Sequence, residues 1–261
     1  MRGLGPILLA AALASGIAAP AAARTILAAT PISRLDLPWW KHRFEAKQHR
    51  LHDGPVKLVF YGDSITQDWE HSGPPAWDDF APIWQHFYGG RDAVNLGFKG
   101  DTTASLLWRV THGEADGIAP KAAVILIGAN NMGHLHWSAD DTLAGIDAII
   151  AALRQRLPHT RLLLLSVLPS ERSEWVTRTT REINRDLAAR YADGRVPDVT
   201  YLDVTGVFER DGKFDRSAFL DPFLTPPDPP LHPTAQAQGR MAAAMEPTLA
   251  GMLGDTSHRQ R

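Results

Sequence analysis

The chain has 261 residues, a formal net charge of -2, 44% hydrophobic residues and 21% charged residues. These values are typical of a soluble globular protein and give no electrostatic basis for binding nucleic acid or an anionic membrane surface. The sequence contains no cysteine, which excludes disulfides, a thiolate nucleophile and a zinc–thiolate site.

The first predicted element is a secretory signal peptide over residues 1–23. Arg2 supplies a positive charge, residues 7–19 form an apolar stretch rich in alanine, and Ala21-Ala22-Ala23 offers a cleavage site of small residues. The stretch is too short for a membrane span with stable flanks, and no later segment is long and apolar enough to cross a bilayer. We therefore expect a periplasmic or secreted bacterial protein without a stable membrane anchor. An uncleaved N-terminal anchor is the alternative.

Beyond the signal peptide, residues 24–38 are expected to form a poorly structured lead-in, and residues 39–51 have the spacing of an amphipathic helix. Short apolar runs then alternate with helical patterns. The predicted strands are residues 56–61, 93–96, 123–127, 161–167 and 199–204. The predicted helices that follow them are residues 75–86, 103–112, 140–157, 174–191 and 235–252. This alternation predicts one α/β domain over residues 39–261, a three-layer α/β/α sandwich of flavodoxin-like type with about five parallel strands.

Each of the first three predicted strands ends in a turn of small or polar residues. Gly62-Asp63-Ser64 follows the first strand, residues 95–103 include the turn after the second, and Gly128-Ala129-Asn130-Asn131 follows the third. Because the carboxyl ends of parallel strands share one edge of a sheet, a serine hydroxyl, a glycine N–H and an asparagine carboxamide should meet there. Acyl transfer needs such a set, since its oxyanion must meet preorganised donors. Ser64 is therefore the candidate nucleophile, and capping of the next helix is its structural alternative.

A proline-rich loop before the last predicted helix supplies the candidate base, His232, in Leu231-His232-Pro233-Thr234. Asp228 lies four residues earlier. A carboxylate can hold one imidazole nitrogen while the other nitrogen faces the serine. Ser64, His232 and Asp228 are thus the predicted catalytic residues.

These segments resemble the four signature blocks of the SGNH (GDSL-like) hydrolase family. Gly62-Asp63-Ser64-Ile65 is similar to the first block, with Ser64 in the nucleophile position. Gly100 matches the glycine of the second block, Asn130 the asparagine of the third and His232 the histidine of the last. The resemblance implies a metal-independent serine esterase without a cofactor. Its oxyanion hole would consist of the Ser64 and Gly100 N–H groups and the Asn130 side chain.

Gly100-Asp101-Thr102-Thr103, followed by Leu107-Trp108-Arg109, is similar to the subgroup related to platelet-activating-factor acetylhydrolase. The resemblance extends from about Trp39 to the end of the chain. One feature departs from the family pattern, which usually places the acid three residues before the histidine. Pro229 occupies that position here. An acid at Asp228 is favoured, with Asp221 or a backbone carbonyl group as the alternative partner of the histidine.

His134, Asn131 and Asp63 lie in or directly after these turns and are further candidates for contact with the substrate. A surface-loop position for His134, local backbone bonding for Asn131 and support of the turn by Asp63 are the structural alternatives. Asp101 is expected to stabilise the N-terminus of the next helix. A zinc site would begin with His134 and His136, which have no third ligand nearby in the sequence.

The predicted function is that of an exported serine esterase that hydrolyses short-acyl esters, chiefly acetyl esters, through an acyl-enzyme. Its partner would be a small ester of a carbohydrate or a lipid. One alternative is an O-acyltransferase that acts on carbohydrate. Another is a non-catalytic carbohydrate- or lipid-binding protein with the same fold. The sequence leaves the choice of ester and the oligomeric state open.

Overall fold

Five parallel strands form the centre of the molecule in a computed structural model that describes residues 24–256. The strands are β1 Leu58–Gly62, β2 Ala93–Gly97, β3 Ala122–Leu126, β4 Arg161–Leu165 and β5 Val199–Leu202. Their order across the sheet is β2-β1-β3-β4-β5, which is the flavodoxin-like order. Each strand overlaps one of the predicted strands, and the predicted fold class is confirmed.

Helices cover both faces of this sheet. They are α1 Pro38–His52, α2 Ser64–Gln67, α3 Ala81–Tyr88, α4 Thr103–Arg109, α5 Ala129–Gly133, α6 Ala139–Arg156, α7 Glu174–Tyr191 and α8 Ala235–Leu253. A small antiparallel hairpin of β6 Glu209–Arg210 and β7 Lys213–Phe214 precedes α8. The helix predicted over residues 75–86 is instead a 3-10 turn, Ala76–Asp78, followed by α3. Within residues 24–256, no helix has both the length and the apolar composition needed to cross a bilayer.

Alternate residues of the strands contribute to two separate apolar layers, because successive side chains of a strand point to opposite faces. In β1, Val59 and Tyr61 pack with residues of α4, α6 and α7. Leu58 and Phe60 pack with residues of α3 and α8. Each of these four side chains is almost completely buried. The sheet therefore lies between two helical layers.

The segment before α1 is ordered against α4, so the expectation of a poorly structured lead-in over residues 24–38 was wrong. Ala28 is buried, and its carbonyl oxygen accepts a hydrogen bond from Thr103 Oγ1 at 2.8 Å. Further along, the Arg34 guanidinium donates to the carbonyl oxygen of Lys99 at 2.9 Å. These partners are remote in sequence, and for this reason the local pattern does not show the order.

The register of the sheet brings the three candidate turns together. Gly62 of β1 is aligned with Gly97 of β2 and with Leu126 of β3. The turns that follow these strands therefore lie side by side at the carboxyl edge, where doubly wound α/β folds place their ligands.

Candidate active site

Ser64 is held at the carboxyl end of β1 by the turn that begins α2. Asp63 caps this helix, since its Oδ1 accepts a hydrogen bond from the Ile65 N–H at 3.0 Å. Gly62 lets the helix lie directly on the strand end, because a Cβ at that position would come within 2.0 Å of Thr66 Oγ1. Asp63 is the cap, so the Ser64 hydroxyl remains available to other groups and lines a cavity.

The other group at the Ser64 hydroxyl is the imidazole of His232. Ser64 Oγ and His232 Nε2 are 2.9 Å apart. The loop that carries His232 is held in place because the His232 carbonyl oxygen accepts a hydrogen bond from the Leu220 N–H at 2.8 Å. A β-bridge between Phe219 and Pro233 adds to this contact. The pair has the distance that proton transfer from a hydroxyl to a histidine requires.

Asp221, rather than Asp228, contacts the second ring nitrogen of His232. Asp221 Oδ1 lies 2.6 Å from His232 Nδ1, and Oδ2 accepts the N–H groups of Leu231 at 2.7 Å and of His232 at 2.6 Å. Asp228 is exposed, and its N–H donates to the Asp221 carbonyl oxygen at 3.1 Å. The expectation that Asp228 orients His232 was therefore wrong. The proline-rich segment folds back on itself and leaves the carboxylate of Asp228, which is nearer to His232 in sequence, at the surface.

These contacts shift the pKa values of both groups. Burial opposes the ionisation of Asp221, but the hydrogen bonds from His232 and from the backbone outweigh it and hold the Asp221 pKa below its ordinary value. Burial also disfavours the imidazolium form of His232. The hydrogen bond and charge of Asp221, together with the charges of Asp68 and Asp63, outweigh that effect and raise the His232 pKa. The site therefore stabilises a cationic histidine, the form that appears after proton transfer.

The candidate oxyanion donors Gly100 and Asn130 line the same cavity as Ser64. Gly100 has φ +75, a left-handed backbone conformation that favours glycine. Asn130 is buried at the start of α5, and its Nδ2 donates to the Asp101 carbonyl oxygen at 2.9 Å. The same nitrogen also makes a longer contact of 3.5 Å with Asp63 Oδ2. An oxyanion in the cavity would compete with that carboxylate for the second amide hydrogen.

The carboxylate of Asp101 holds the turn behind Gly100. Its Oδ1 accepts hydrogen bonds from Trp40 Nε1 at 2.8 Å and Arg34 Nη1 at 3.0 Å, and its Oδ2 accepts from Arg109 Nε at 2.8 Å. The side chains of Asp101 and Arg109 are both 0% exposed. Thr102 caps α4, and Asp101 directly precedes this cap.

Arg109 belongs to the functional surroundings that sequence reasoning missed. Besides Asp101 it forms an ion pair with Glu114, and its Nη2 donates to the Gly62 carbonyl oxygen at 3.1 Å. It also lies 4.0 Å from the ring centroid of Phe98. The signal in the sequence for a buried cation was a single arginine among the apolar residues of the predicted helix 103–112. One buried cation thereby connects the turn at Ser64 with the turn at Gly100.

Of the three further candidates for substrate contact, one lines the cavity and two are buried. His134 is exposed and lines the cavity. Asn131 is fully buried: its Oδ1 accepts the Thr103 N–H at 2.9 Å, and its Nδ2 donates to Thr103 Oγ1 at 2.7 Å. Asp63 is also buried behind the nucleophile turn. Contact of Asn131 and Asp63 with the substrate was therefore a wrong expectation, since both are occupied in holding the backbone. His136 packs against Trp175 instead of joining His134.

The cavity over Ser64 has a volume of about 500 Å³. Beyond the residues already described, its lining has an apolar part, formed by Trp77 and three leucines, and a polar wall, formed by Gln67, Asp68, His71, Asp78 and Lys99. Sequence reasoning did not anticipate this wall. Within residues 24–256, no group of three or more histidine or acidic side chains is arranged to hold a metal ion.

A serine–histidine–carboxylate arrangement at the edge of a flavodoxin-like sheet defines a class of α/β hydrolytic enzymes. The sequence profile of the GDSL-like lipase/acylhydrolase family matches residues 60–240. The chain belongs to this family, which is the SGNH type, and it is an ester hydrolase.

One sequence relative and two solved structures are similar to this chain over most of its length. The chain is 30% identical over 219 residues to human platelet-activating factor acetylhydrolase IB subunit alpha1, covering 79% of this chain and 87% of the relative. A GDSL-like lipase from Bacteroides thetaiotaomicron superposes with a TM-score of 0.61 at 16% identity, covering 80% of this chain and 97% of the lipase. A carbohydrate esterase family 3 protein from Talaromyces cellulolyticus superposes with a TM-score of 0.57 at 15% identity, covering 77% and 100%. The two structural similarities show a shared fold.

Proposed function

We propose that the chain is an exported serine esterase that removes short acyl groups, chiefly acetyl, through an acyl-enzyme. The observation that carries the proposal is the continuous contact from Asp221 through His232 to Ser64, with distances of 2.6 Å and 2.9 Å. Gly100 and Asn130 supply donors on the same cavity. Such a set is what acyl transfer needs.

In the acylation step, His232 Nε2 accepts the Ser64 proton while Ser64 Oγ attacks the ester carbonyl carbon. The N–H groups of Ser64 and Gly100 and the Nδ2 of Asn130 donate to the oxyanion. Asp221 stabilises the imidazolium through its 2.6 Å contact with Nδ1. When the tetrahedral intermediate collapses, the imidazolium protonates the leaving alcohol oxygen and the acyl group stays on Ser64.

Deacylation runs the same proton transfers with water as the nucleophile. His232 accepts a proton from water, the resulting tetrahedral intermediate uses the same oxyanion donors, and Ser64 leaves with the proton returned by the histidine. These steps need neither a metal nor a cofactor.

The cavity combines apolar side chains with three carboxylates. Asp68, Asp78 and Asp228 line it beside a tryptophan and three leucines, and a long alkyl chain that covered the carboxylates would have to desolvate them. The human relative is named an acetylhydrolase, and one structural neighbour is named a carbohydrate esterase. We therefore infer an acetyl ester of a carbohydrate or a lipid alcohol as the substrate.

Export is proposed from the composition of residues 1–23, which lie outside the described part of the chain. Protein recovered from the periplasm or the culture medium of a bacterial host is expected to begin at Arg24. N-terminal sequencing tests this, and an intact Met1 in a membrane fraction would contradict it.

The catalytic proposal is tested with p-nitrophenyl esters from acetyl to dodecanoyl and with a fluorophosphonate probe. Activity should be highest on the acetyl ester, and the probe should label Ser64 of the folded wild type but not the Ser64→Ala variant. Full esterase activity in that variant would overturn the mechanism. Absence of labelling would favour a binding protein of the same fold. Acyl transfer to a sugar faster than to water would favour an acyltransferase.

A further inference from the structure

Asp68 is a buried carboxylate on the catalytic cavity that the mechanism above does not use. The residue is 8% exposed and lines the cavity at the end of α2, one turn after Ser64. Among the residues that the structure describes, no hydrogen bond reaches its carboxylate. The nearest cationic partner, His71 Nε2, is 3.8 Å from Oδ1, which is beyond hydrogen-bond distance. A carboxylate that lines the cavity without a hydrogen-bond donor from the protein can accept a hydrogen bond from a ligand or a water molecule there.

Asp68 lines the same cavity as His232, the residue beside which the leaving alcohol must lie. His232 hands its proton to the alcohol oxygen, so the alcohol lies beside His232. Asp68 is close enough to His232 for each to shift the pKa of the other. Burial raises the pKa of Asp68 to about 6, and it is therefore mainly ionised at neutral pH.

The rest of this wall offers both donors and acceptors. Gln67 Oε1 accepts the Lys99 N–H at 2.8 Å, which leaves its amide nitrogen as a donor. Asp78 Oδ1 is 3.2 Å from His71 Nδ1 and also lines the cavity. A mixed set matches hydroxyl groups, because each hydroxyl both donates and accepts. An ammonium group would use only the carboxylates.

We propose that Asp68 is a specificity-determining residue that accepts a hydrogen bond from a free hydroxyl of the alcohol part of the ester. The alcohol is accordingly a polyol or a carbohydrate with a hydroxyl near the acylated oxygen. This inference rests on the proposed esterase function and adds the class of alcohol to it.

The test compares two acetyl esters with rings of equal size: a monoacetylated methyl xyloside, which has free hydroxyls, and cyclohexyl acetate, which has none. Asp68→Ala should lower kcat/KM for the xyloside ester about tenfold more than for cyclohexyl acetate, the size of effect expected for a hydrogen bond to a charged group. Asp68→Asn keeps the side-chain shape and should show an intermediate loss. Circular dichroism and thermal unfolding verify that both variants fold.

Asp116→Asn is the control, since it removes the same charge from an exposed carboxylate that does not line the cavity. Its change in the ratio of the two substrates should be clearly smaller than that of Asp68→Asn. An equal loss on both esters in the Asp68 variants would overturn the proposal, because Asp68 would then act through His232. The proposal would also be overturned if the Asp68 variants lost activity on neither ester, or if the control changed the ratio of the two substrates equally. A larger loss of activity on acetylcholine, an ester of a cationic alcohol, would overturn it too, because Asp68 would then recognise a charge. Wild-type protein that hydrolyses neither ester would overturn the proposed function itself, and this inference with it.

Discussion

Asp101 and Arg109 form a completely buried ion pair, with Arg109 Nε 2.8 Å from Asp101 Oδ2, directly behind the turn that carries Gly100. The Asp101 carbonyl oxygen, in turn, accepts the amide of Asn130. One residue thus fixes both candidate oxyanion donors that lie outside the nucleophile turn. Rigid support of this kind matters because oxyanion donors act through preorganisation.

Removal of the cation from this pair should destabilise the fold strongly. Arg109→Met leaves the buried carboxylate of Glu114 without its cationic partner and removes the donor to Asp101 Oδ2. Loss of one member of a buried pair costs about 3–5 kcal/mol. Urea denaturation measures the free energy of unfolding. Glu45→Gln, which breaks the exposed pair of Lys41 and Glu45, is the control and should cost under about 0.5 kcal/mol. A loss in Arg109→Met no larger than in the control would contradict the prediction.

Arg34 should act as a positioning residue for the Gly100 turn. It donates to the Lys99 carbonyl oxygen at 2.9 Å and to Asp101 Oδ1 at 3.0 Å. Arg34→Ala is expected to lower kcat about tenfold with little change in KM, since a displaced N–H weakens binding of the transition state more than that of the substrate. Arg24→Ala, in the same segment but in an exposed pair with Asp141, is the control. A rise in KM without a fall in kcat would argue against positioning.

The two candidate acids can be separated by mutation. Asp221→Asn should lower kcat by about 10² to 10⁴, because His232 loses the carboxylate that sets its tautomer and stabilises its cation. Asp228→Asn, a change at an exposed side chain, should have less than about a threefold effect. Steady-state kinetics on p-nitrophenyl acetate measure both. The assignment of Asp221 fails if Asp228→Asn proves to be the more damaging change.

Asn130→Ala should retain the fold and lose turnover. Removal of one oxyanion donor costs about 10² to 10³ in kcat. The lost hydrogen bond to the Asp101 carbonyl oxygen should reduce the free energy of unfolding by only about 1 kcal/mol. Kinetics and thermal unfolding of the same preparation separate the two effects. A variant with wild-type kcat would show that the Asn130 amide does not contact the oxyanion.

The pH dependence should report the environment of His232. Catalysis needs the neutral imidazole, so kcat/KM should rise with pH through a pKa above the ordinary histidine value of 6.5. Burial alone would lower this pKa, and Asp221, Asp68 and Asp63 raise it. In Asp221→Asn the midpoint of the profile should therefore move to lower pH. A pH–rate profile of wild type and variant measures the shift, and an unchanged or higher midpoint would contradict the assigned contact.

The parts of this protein that follow local rules could be predicted from its sequence. Apolar runs of strand length predict the five strands, and their parallel arrangement places Ser64, Gly100 and Asn130 at one edge of the sheet. His232 could be predicted as the candidate base because its loop directly precedes a helix with a clear hydrophobic period. These features depend on residue order and periodicity, which a sequence displays directly.

The contacts between remote residues were decided only by the tertiary structure. Asp228 is nearer to His232 in sequence, yet the fold of the proline-rich segment brings Asp221 to the imidazole. The Asp101–Arg109 pair and the largely buried carboxylate of Asp68 depend in the same way on which side chains burial brings together. Sequence alone thus determined the fold class, the candidate nucleophile and the candidate base. Packing decided the candidate acid, the support of the candidate oxyanion site and the polar wall of the cavity, because the energy of a buried charge depends on neighbours that no local pattern specifies.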